Sequence, residues 1–394
     1  MRGGRKPKEL GVKDVKLLHI ADLHIGKRVN EFSMLEDQRY ILDQIIKITL
    51  EENTDGVLIS GDIYDKSMPS AEAVELLDSF LTELNIAGQA VFMISGNHDS
   101  PERIGFGSRI MEKNKLYITG VYEGKPGRVT LTDEHGTLNI YMLPFIKPAM
   151  IRPYHETAPE SYEEAVRLVL SEYPLHTEER NILIAHQFVI NGLQEPERSD
   201  SENISVGGVD QVDISVFDNF DYVALGHLHR AQKVGRDTIR YAGSPLKYSF
   251  SEARYVKSVY LLECGAKGDI NIQAKPLYPL HDLREIKGPI KGLLLIGKED
   301  TEGAEDYIHV TLTDEEEIYD AIGQLRQVYP NLMVLDFENS RSGQAVHSFT
   351  AASLEGARKN PIELFDEFYQ IQNNTELSIE QKEIIADIMG EVIN

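Results

Sequence analysis

Five short apolar runs of this 394-residue chain end in residues that bind metals or move protons. Val15–Ile20 leads into Asp22-Leu23-His24, and Gly56–Ile59 into Gly61-Asp62-Ile63-Tyr64-Asp65. Val91–Ile94 leads into Gly96-Asn97-His98-Asp99, Ile182–Ala185 into His186, and Tyr222–Leu225 into Gly226-His227-Leu228-His229. Asp22, His24, Asp62, Asn97, His186, His227 and His229 offer oxygen and nitrogen without thiolate, a mixture suited to Mn, Fe or Zn rather than to Ca or Mg alone. Seven ligands are more than one ion needs. Two divalent cations roughly 3.5–4 Å apart, sharing one carboxylate, would use them and could clamp a phosphate and activate a water.

The elements that must position these residues read as α/β. The five runs are short, rich in Val, Ile and Leu and bounded by turn formers, as buried strands are. Leu35–Leu50 and Ala71–Leu84 show helical spacing. In the second, Val74, Leu77, Leu81 and Leu84 share a face and Ser70 is placed to cap the N-terminus. In open α/β sheets the carboxyl ends of strands meet in one crevice, so residues more than 200 positions apart can converge. A lone strand-end histidine such as His186 is ordinarily a hydrogen-bonded structural residue. An ordered set of metal-type residues at five strand ends is different, because burying them without a cation would be costly.

Further strands at Asn139–Leu143, Tyr241–Ala242 and Val259–Leu262 lack regular helices between them, which predicts mixed rather than purely parallel sheets. Beyond about residue 280 the texture changes to a small α+β module. Strands are expected at Gly292–Ile296, Ile308–Leu312 and Met333–Phe337, with a helix over Glu315–Val328 closed by Pro330. Asn360-Pro361-Ile362-Glu363 and Ser378-Ile379-Glu380-Gln381 resemble capping boxes, predicting two final helices joined near Asn373-Asn374.

Asp22-x-His24, Gly61-Asp62-x-x-Asp65, Gly96-Asn97-His98-Asp99, His186 and Gly226-His227-x-His229 together resemble the calcineurin-like metallophosphoesterases. The wording of His19–Lys27, Ile59–Asp65, Ser95–Ser100, Leu225–Arg230 and Gly243–Glu252 is similar to the DNA-nuclease branch of that superfamily, over roughly residues 15–394. The resemblance implies a sandwich of two mixed sheets flanked by helices. It puts one ion on Asp22, His24, Asp62 and His229 and the other on Asp62, Asn97, His186 and His227, with Mn2+ as the usual ion. It makes His98 the catalytic histidine, protonating the departing sugar oxygen, and Asp65 its polar partner.

Residues 1–14, polar, basic and without apolar period, read as a disordered leader or an extension; for the rest the implied layout is a nuclease domain at 15–281, a capping domain at 282–340, a linker at 341–359 and a helix-loop-helix at 360–394 that docks a partner. In that last segment Leu364, Phe365, Phe368 and Tyr369, then Ile384, Ile385, Ile388, Met389, Val392 and Ile393, form apolar stripes. They could cover this protein's own body or a partner helix. The implied partners are an ABC-type ATPase with a coiled coil, double-stranded and hairpin DNA, and a second copy of the chain within a heterotetramer.

Composition bounds these readings. With Cys264 alone no intramolecular disulfide can form, and no apolar run approaches the roughly 20 residues of a membrane helix, so a cytoplasmic location, at the nucleoid when on DNA, is expected. The net charge of −24, from 40 Lys and Arg against 64 Asp and Glu, argues against a protein that coats nucleic acid. The acid is localised: residues 299–320 hold ten acidic side chains and no Lys or Arg, and residues 355–394 hold nine against three basic. The charge therefore describes the appendages. Lys27, Arg28, Arg103 and Arg109 follow the metal motifs and could touch phosphates or be plain surface charge; Tyr248 and Phe250 could line the site or belong to the core. A phosphoprotein or small-molecule phosphoesterase would share the ligands, but the phosphoprotein motif continues to an arginine where this chain has Asp65-Lys66. A non-catalytic scaffold would lack ligands, and none is missing. There is no GxxxxGK[ST] loop, so ATP would be handled by the partner.

Overall fold

A computed structural model describes residues 14–156, 158–173, 175–202 and 210–338, with 365, 369, 377, 378, 381, 382, 384 and 385. Nearly all of the expected leader, the linker and most of the two terminal helices lie outside these. The chain divides into two compact units, 1–280 and 281–394.

The first unit holds two six-stranded sheets. One has the order Ile270–Pro276, Ser258–Cys264, Val15–Ile20, Gly56–Ser60, Ala90–Ile94, Leu116–Thr119, and the other Gln232–Val234, Arg236–Tyr241, Tyr222–Gly226, Arg180–His186, Gly136–Leu143, Gly127–Asp133. Both are mixed: the central pairs run parallel, and antiparallel pairs lie toward the edges. Leu17, Leu58, Phe92 and Leu262 of one sheet and Ile140, Ile182, Ile184 and Tyr222 of the other form one buried cluster between them, which makes the pair a sandwich. The outer face of the second sheet is covered by the helix Tyr162–Glu172 through Ala165, Val166 and Val169.

Parallel register is what brings the chemistry together. Ile20 pairs with Ile59, Ser60 with Ile94, and His186 with Gly226, so these strands end at one level. Asp22, Asp62, Asn97 and His227 follow within three residues. Between strands lie the helices Leu35–Glu52 and Ala71–Ile86, and Ser70 caps the second by accepting from Ala73 N at 3.3 Å. Its buried face is Ala73, Leu76, Leu77, Phe80 and Leu84 rather than the expected stripe, since Val74 is 46% exposed. The true stripe sits about one position over, and Leu77 and Leu84 belong to both.

The second unit has three parallel strands, Leu283–Gly288, Tyr307–Leu312 and Leu332–Phe337, alternating with helices Ile290–Glu299 and Ala321–Arg326 over a core that includes Leu293, Ile308, Val310 and Leu325. Two expectations fail here. Gly292–Ile296 is helix, not strand: Ile290, Leu293 and Gly297 are buried at helical spacing while Leu295 and Ile296 face solvent. A five-residue apolar run does not reveal its own period. The helix expected over Glu315–Val328 spans only Ala321–Arg326, because Asp320, at φ 48°, turns the chain and caps it by accepting from Gly323 N at 3.1 Å. Asp is a better cap than helix interior. The capping box at Ser378 forms as expected: Ser378 Oγ accepts from Gln381 N at 3.2 Å and Gln381 Oε1 from Ser378 N at 2.9 Å.

Candidate metal centre

All seven candidate ligands meet at the shared strand edge, and five of them, Asp22, His24, Asp62, His186 and His229, are almost wholly buried. Asp22, His24 and His229 offer ligand atoms within 4.8 Å of one another, and so do Asp22, Asp62 and His186. His24 Nε2 lies 3.0 Å from His229 Nε2. Asn97 Oδ1 lies 2.9 Å from both His186 Nε2 and His227 Nδ1. Asp62 Oδ2 stands between the two groups, 3.6 Å from His24 Nε2 and 3.4 Å from His186 Nε2.

The backbone pays for this convergence in strain. Asp22, His24, Asp62 and His227 have φ of 53°, 43°, 49° and 108°, a region that L-residues rarely adopt and that marks functional sites. Gly96 lets the Asn97 loop lie against Asp62, since a Cβ there would overlap Asp62 Oδ1 and N; one on Gly61 would stand 2.5 Å from His186 Nδ1. Asp99 ties the loops together by accepting from Gly96 N, Ile63 N and Tyr64 N at 2.8, 3.1 and 3.0 Å.

The donor set fits divalent cations. Asp22 Oδ2 is buried without a hydrogen-bond partner, an expensive state for a carboxylate oxygen. His186 Nδ1 donates to the Ser60 carbonyl at 2.8 Å, which leaves its Nε2 facing Asp62 Oδ2 and Asn97 Oδ1, both acceptors. Only a proton or a cation reconciles three such atoms. Electrostatics agree: burial pushes Asp22 well above the usual carboxylate range, and Asp62's charge adds to it. Burial acts on Asp62 the same way, but His186, His24 and His98 outweigh it and hold Asp62 well below. Burial lowers His186 too, yet Asp62 carries it up to about 9. His227 is brought down to about 3, by burial and then by the charge of His186, and burial keeps His24 well below its ordinary value, so both are neutral imidazoles ready to ligate.

His98 stands beside the cluster, its ring 4.8 Å from that of His24. Its Nδ1 meets Asp65, but through the main-chain carbonyl at 3.0 Å rather than the expected carboxylate. The carboxylate instead pairs with Lys27 Nζ at 2.8 Å. Lys27 is thereby engaged, also lying over the Tyr248 ring; Arg28 donates to the Glu31 carbonyl, and Arg103 and Arg109 are exposed. Tyr248 is both core and site: buried, it donates to Leu23 O at 2.5 Å and its ring lies 5.8 Å from that of His24.

Several supporting residues escaped the strand-end reading. Gln38 holds the Asp22-His24 loop, donating to His24 O at 2.7 Å and accepting from Gly26 N at 2.9 Å. Ser201 and Glu202 contact His229, and Glu252 and Lys257 form a buried pair behind it. Asp99 lies in the Ser95–Ser100 motif and Glu252 ends the Gly243–Glu252 motif, whereas Gln38, Ser201 and Glu202 carry no signal in spacing.

A sandwich of two mixed sheets with a carboxylate and imidazole cluster at one edge defines a class. The chain belongs to the calcineurin-like phosphoesterase family, whose model matches residues 15–231. More narrowly, it is similar to the SbcD component of the SbcCD nuclease of Staphylococcus epidermidis, at 32% identity over 388 residues, covering 96% of this chain and 99% of that protein. A second family model, Type 5 capsule protein repressor C-terminal domain, matches residues 279–373. Among solved structures, a dimetal phosphatase from Danio rerio shows 12% identity and a TM-score of 0.41, covering 67% of this chain and 96% of its own. A protein of Thermus thermophilus shows 12% identity and a TM-score of 0.38, covering 66% and 99%. Among the described residues no helix is long and apolar enough to cross a membrane.

Proposed function

We propose that this chain is a metal-dependent DNA nuclease, an exonuclease on double-strand ends and an endonuclease on hairpins. It would act with an SbcC-type ABC ATPase in DNA repair, recombination and replication. The observation that carries the reading is the position of Asp62 Oδ2 between two groups of neutral or cation-seeking ligands; similarity to a component of an SbcCD nuclease points the phosphoesterase chemistry toward DNA.

Asp22, His24, Asp62 and His229 would hold one divalent cation and Asp62, Asn97, His186 and His227 the other, most simply Mn2+. Such a pair, when bound, neutralises a phosphodiester and lowers the pKa of a water for in-line attack. The chain's own residues do the rest. Asp22 Oδ1 accepts from His227 N at 2.8 Å and Asp62 Oδ1 from His98 N at 2.9 Å, so each carboxylate keeps its second oxygen turned to the cluster. His98 commits its Nδ1–H to the Asp65 carbonyl, so its imidazolium form carries the second proton on Nε2, which passes to the departing sugar oxygen and leaves the neutral ring. Domain roles follow: nuclease at 15–281, capping at 282–340 and partner docking at 360–394, with a second copy completing a heterotetramer.

The test is cleavage of end-labelled duplex and hairpin DNA with Mn2+, with and without the ATPase, beside a phosphopeptide. Metal-dependent cutting of DNA is expected. Phosphate release from the peptide with intact DNA would overturn the reading.

A further inference from the structure

A buried ion pair stands behind the cluster and takes no part in the chemistry above. Glu252 and Lys257 are 1% and 6% exposed, and such a pair is a poor source of stability once desolvation is counted. Its hydrogen bonds show what it does instead. Lys257 Nζ has three protons and three acceptors: Glu252 Oε2, the His229 carbonyl at 2.8 Å and Ser244 Oγ at 2.8 Å. The remaining Glu252 oxygen, Oε1, accepts from Tyr248 N at 3.2 Å and from Ser201 Oγ at 2.8 Å. With Oε2 against the Lys257 ammonium and Oε1 facing two donors, Glu252 accepts only.

This fixes every proton along the line. The Ser201 hydroxyl has one proton, and it is given to Glu252. Ser201 Oγ can then only accept from its other neighbours, His229 Nδ1 at 2.7 Å and Ser199 Oγ at 3.0 Å. Nδ1 must carry the ring proton, and Nε2, 3.0 Å from His24 Nε2, is left with its lone pair facing the cluster. Glu202 Oε1 steadies the same residue by accepting from His229 N at 2.6 Å.

Building on the phosphoesterase reading, we propose that Ser201 and Glu252 are positioning residues, a hydroxyl relay from a buried carboxylate that sets the tautomer of His229 and so presents its Nε2 to a divalent cation shared with Asp22 and His24. Histidines that bind metals commonly donate their other nitrogen to a carboxylate or carbonyl, and losing that partner weakens metal binding about 10- to 100-fold. Here a serine stands between. Ser201 is outside the strand-end motifs, on a segment that reaches the metal cluster from elsewhere in the chain.

The experiment uses the full chain and Mn2+ alone. His229 Nδ1–H is expected in 15N-histidine spectra of the metal-free protein, and S201A should shift that ring toward the other tautomer. By calorimetry S201A should weaken Mn2+ binding by about tenfold or more. S201T, which keeps the hydroxyl, should restore both, and E252Q should act at least as strongly as S201A. S201A leaves the Glu252–Lys257 pair intact, so it separates the relay from a folding defect in E252Q. An unchanged tautomer or unchanged Mn2+ affinity in S201A overturns the relay. Failure of the unsubstituted chain to bind Mn2+ overturns the phosphoesterase reading instead, and the metal-free spectra distinguish the two.

Discussion

His98 gives its Nδ1 proton to the main-chain carbonyl of Asp65, 3.0 Å away, while the Asp65 carboxylate turns aside to Lys27. A carbonyl can only accept, so the ring orientation of His98 depends on where the backbone of residue 65 lies and not on its side chain. His98→Ala should therefore reduce DNA cleavage by about 10²–10⁴-fold, the range of general acid catalysis, with Mn2+ still bound by calorimetry. Asp65→Asn should keep cleavage within about tenfold of the unsubstituted chain, well short of a lost general acid. A loss in Asp65→Asn equal to that of His98→Ala would show that the carboxylate acts directly.

Gly96 is where the Asn97 loop touches Asp62, and a methyl group there would overlap Asp62 Oδ1. Displacing a catalytic group by an ångström costs on the order of 100-fold in rate. Gly96→Ala should lower kcat/KM by about that factor while the circular-dichroism melt keeps its shape. Full activity in this variant would mean that the loop is not held against Asp62.

Arg180, buried at the sandwich edge, binds Asp133 through Nη1 at 2.9 Å and Nη2 at 2.5 Å. It also donates to Gly136 O in its own sheet, to Cys264 O in the other and to Gly265 O just past the end of that strand. Removing one partner of a buried pair costs about 3–5 kcal/mol. Arg180→Met should lose that much in urea unfolding, and a change under about 1 kcal/mol would refute the bridge between sheets.

His19, fully buried with Nδ1 3.0 Å from Tyr222 Oη, is kept neutral by burial, which brings it to about 3. An unfolded histidine titrates near about 6.5. Between these values the unfolded chain binds a proton that the folded chain refuses, so stability falls as pH drops through the window and is unaffected above it. The slope for this residue is about 1.4 kcal/mol per pH unit, or about 2–3 kcal/mol by about pH 4.5. His19→Asn should flatten the decline between about pH 6.5 and 4.5; an identical slope would assign it to other groups.

Truncation before Asn360 should leave Mn2+-dependent cleavage by the isolated chain and abolish capture by an SbcC-type coiled coil. Undiminished complex formation by the truncated chain would move the docking surface elsewhere.

How much was legible depends on the range of the interaction. Strand identity and the ligand set could be read locally, because apolar runs ending in Asp22-x-His24 or Gly226-His227-x-His229 carry their meaning within a few residues. Gly292–Ile296 could not, since its helical period emerges only from which side meets Ile308 and Leu325.

The sequence by itself determined which atoms are available: seven ligand-type residues, a histidine able to move a proton and an acidic excess concentrated in the C-terminal third. Tertiary structure alone decided how they are used. Parallel register set Asp22, Asp62, Asn97, His186 and His227 at one edge. Hydrogen-bond geometry gave His98 the carbonyl of Asp65 rather than its carboxylate, and it brought Ser201 and Glu252 behind His229. Directional bonds between residues far apart in the chain leave no periodicity to read, because they exist only once packing has brought the partners within about 3 Å.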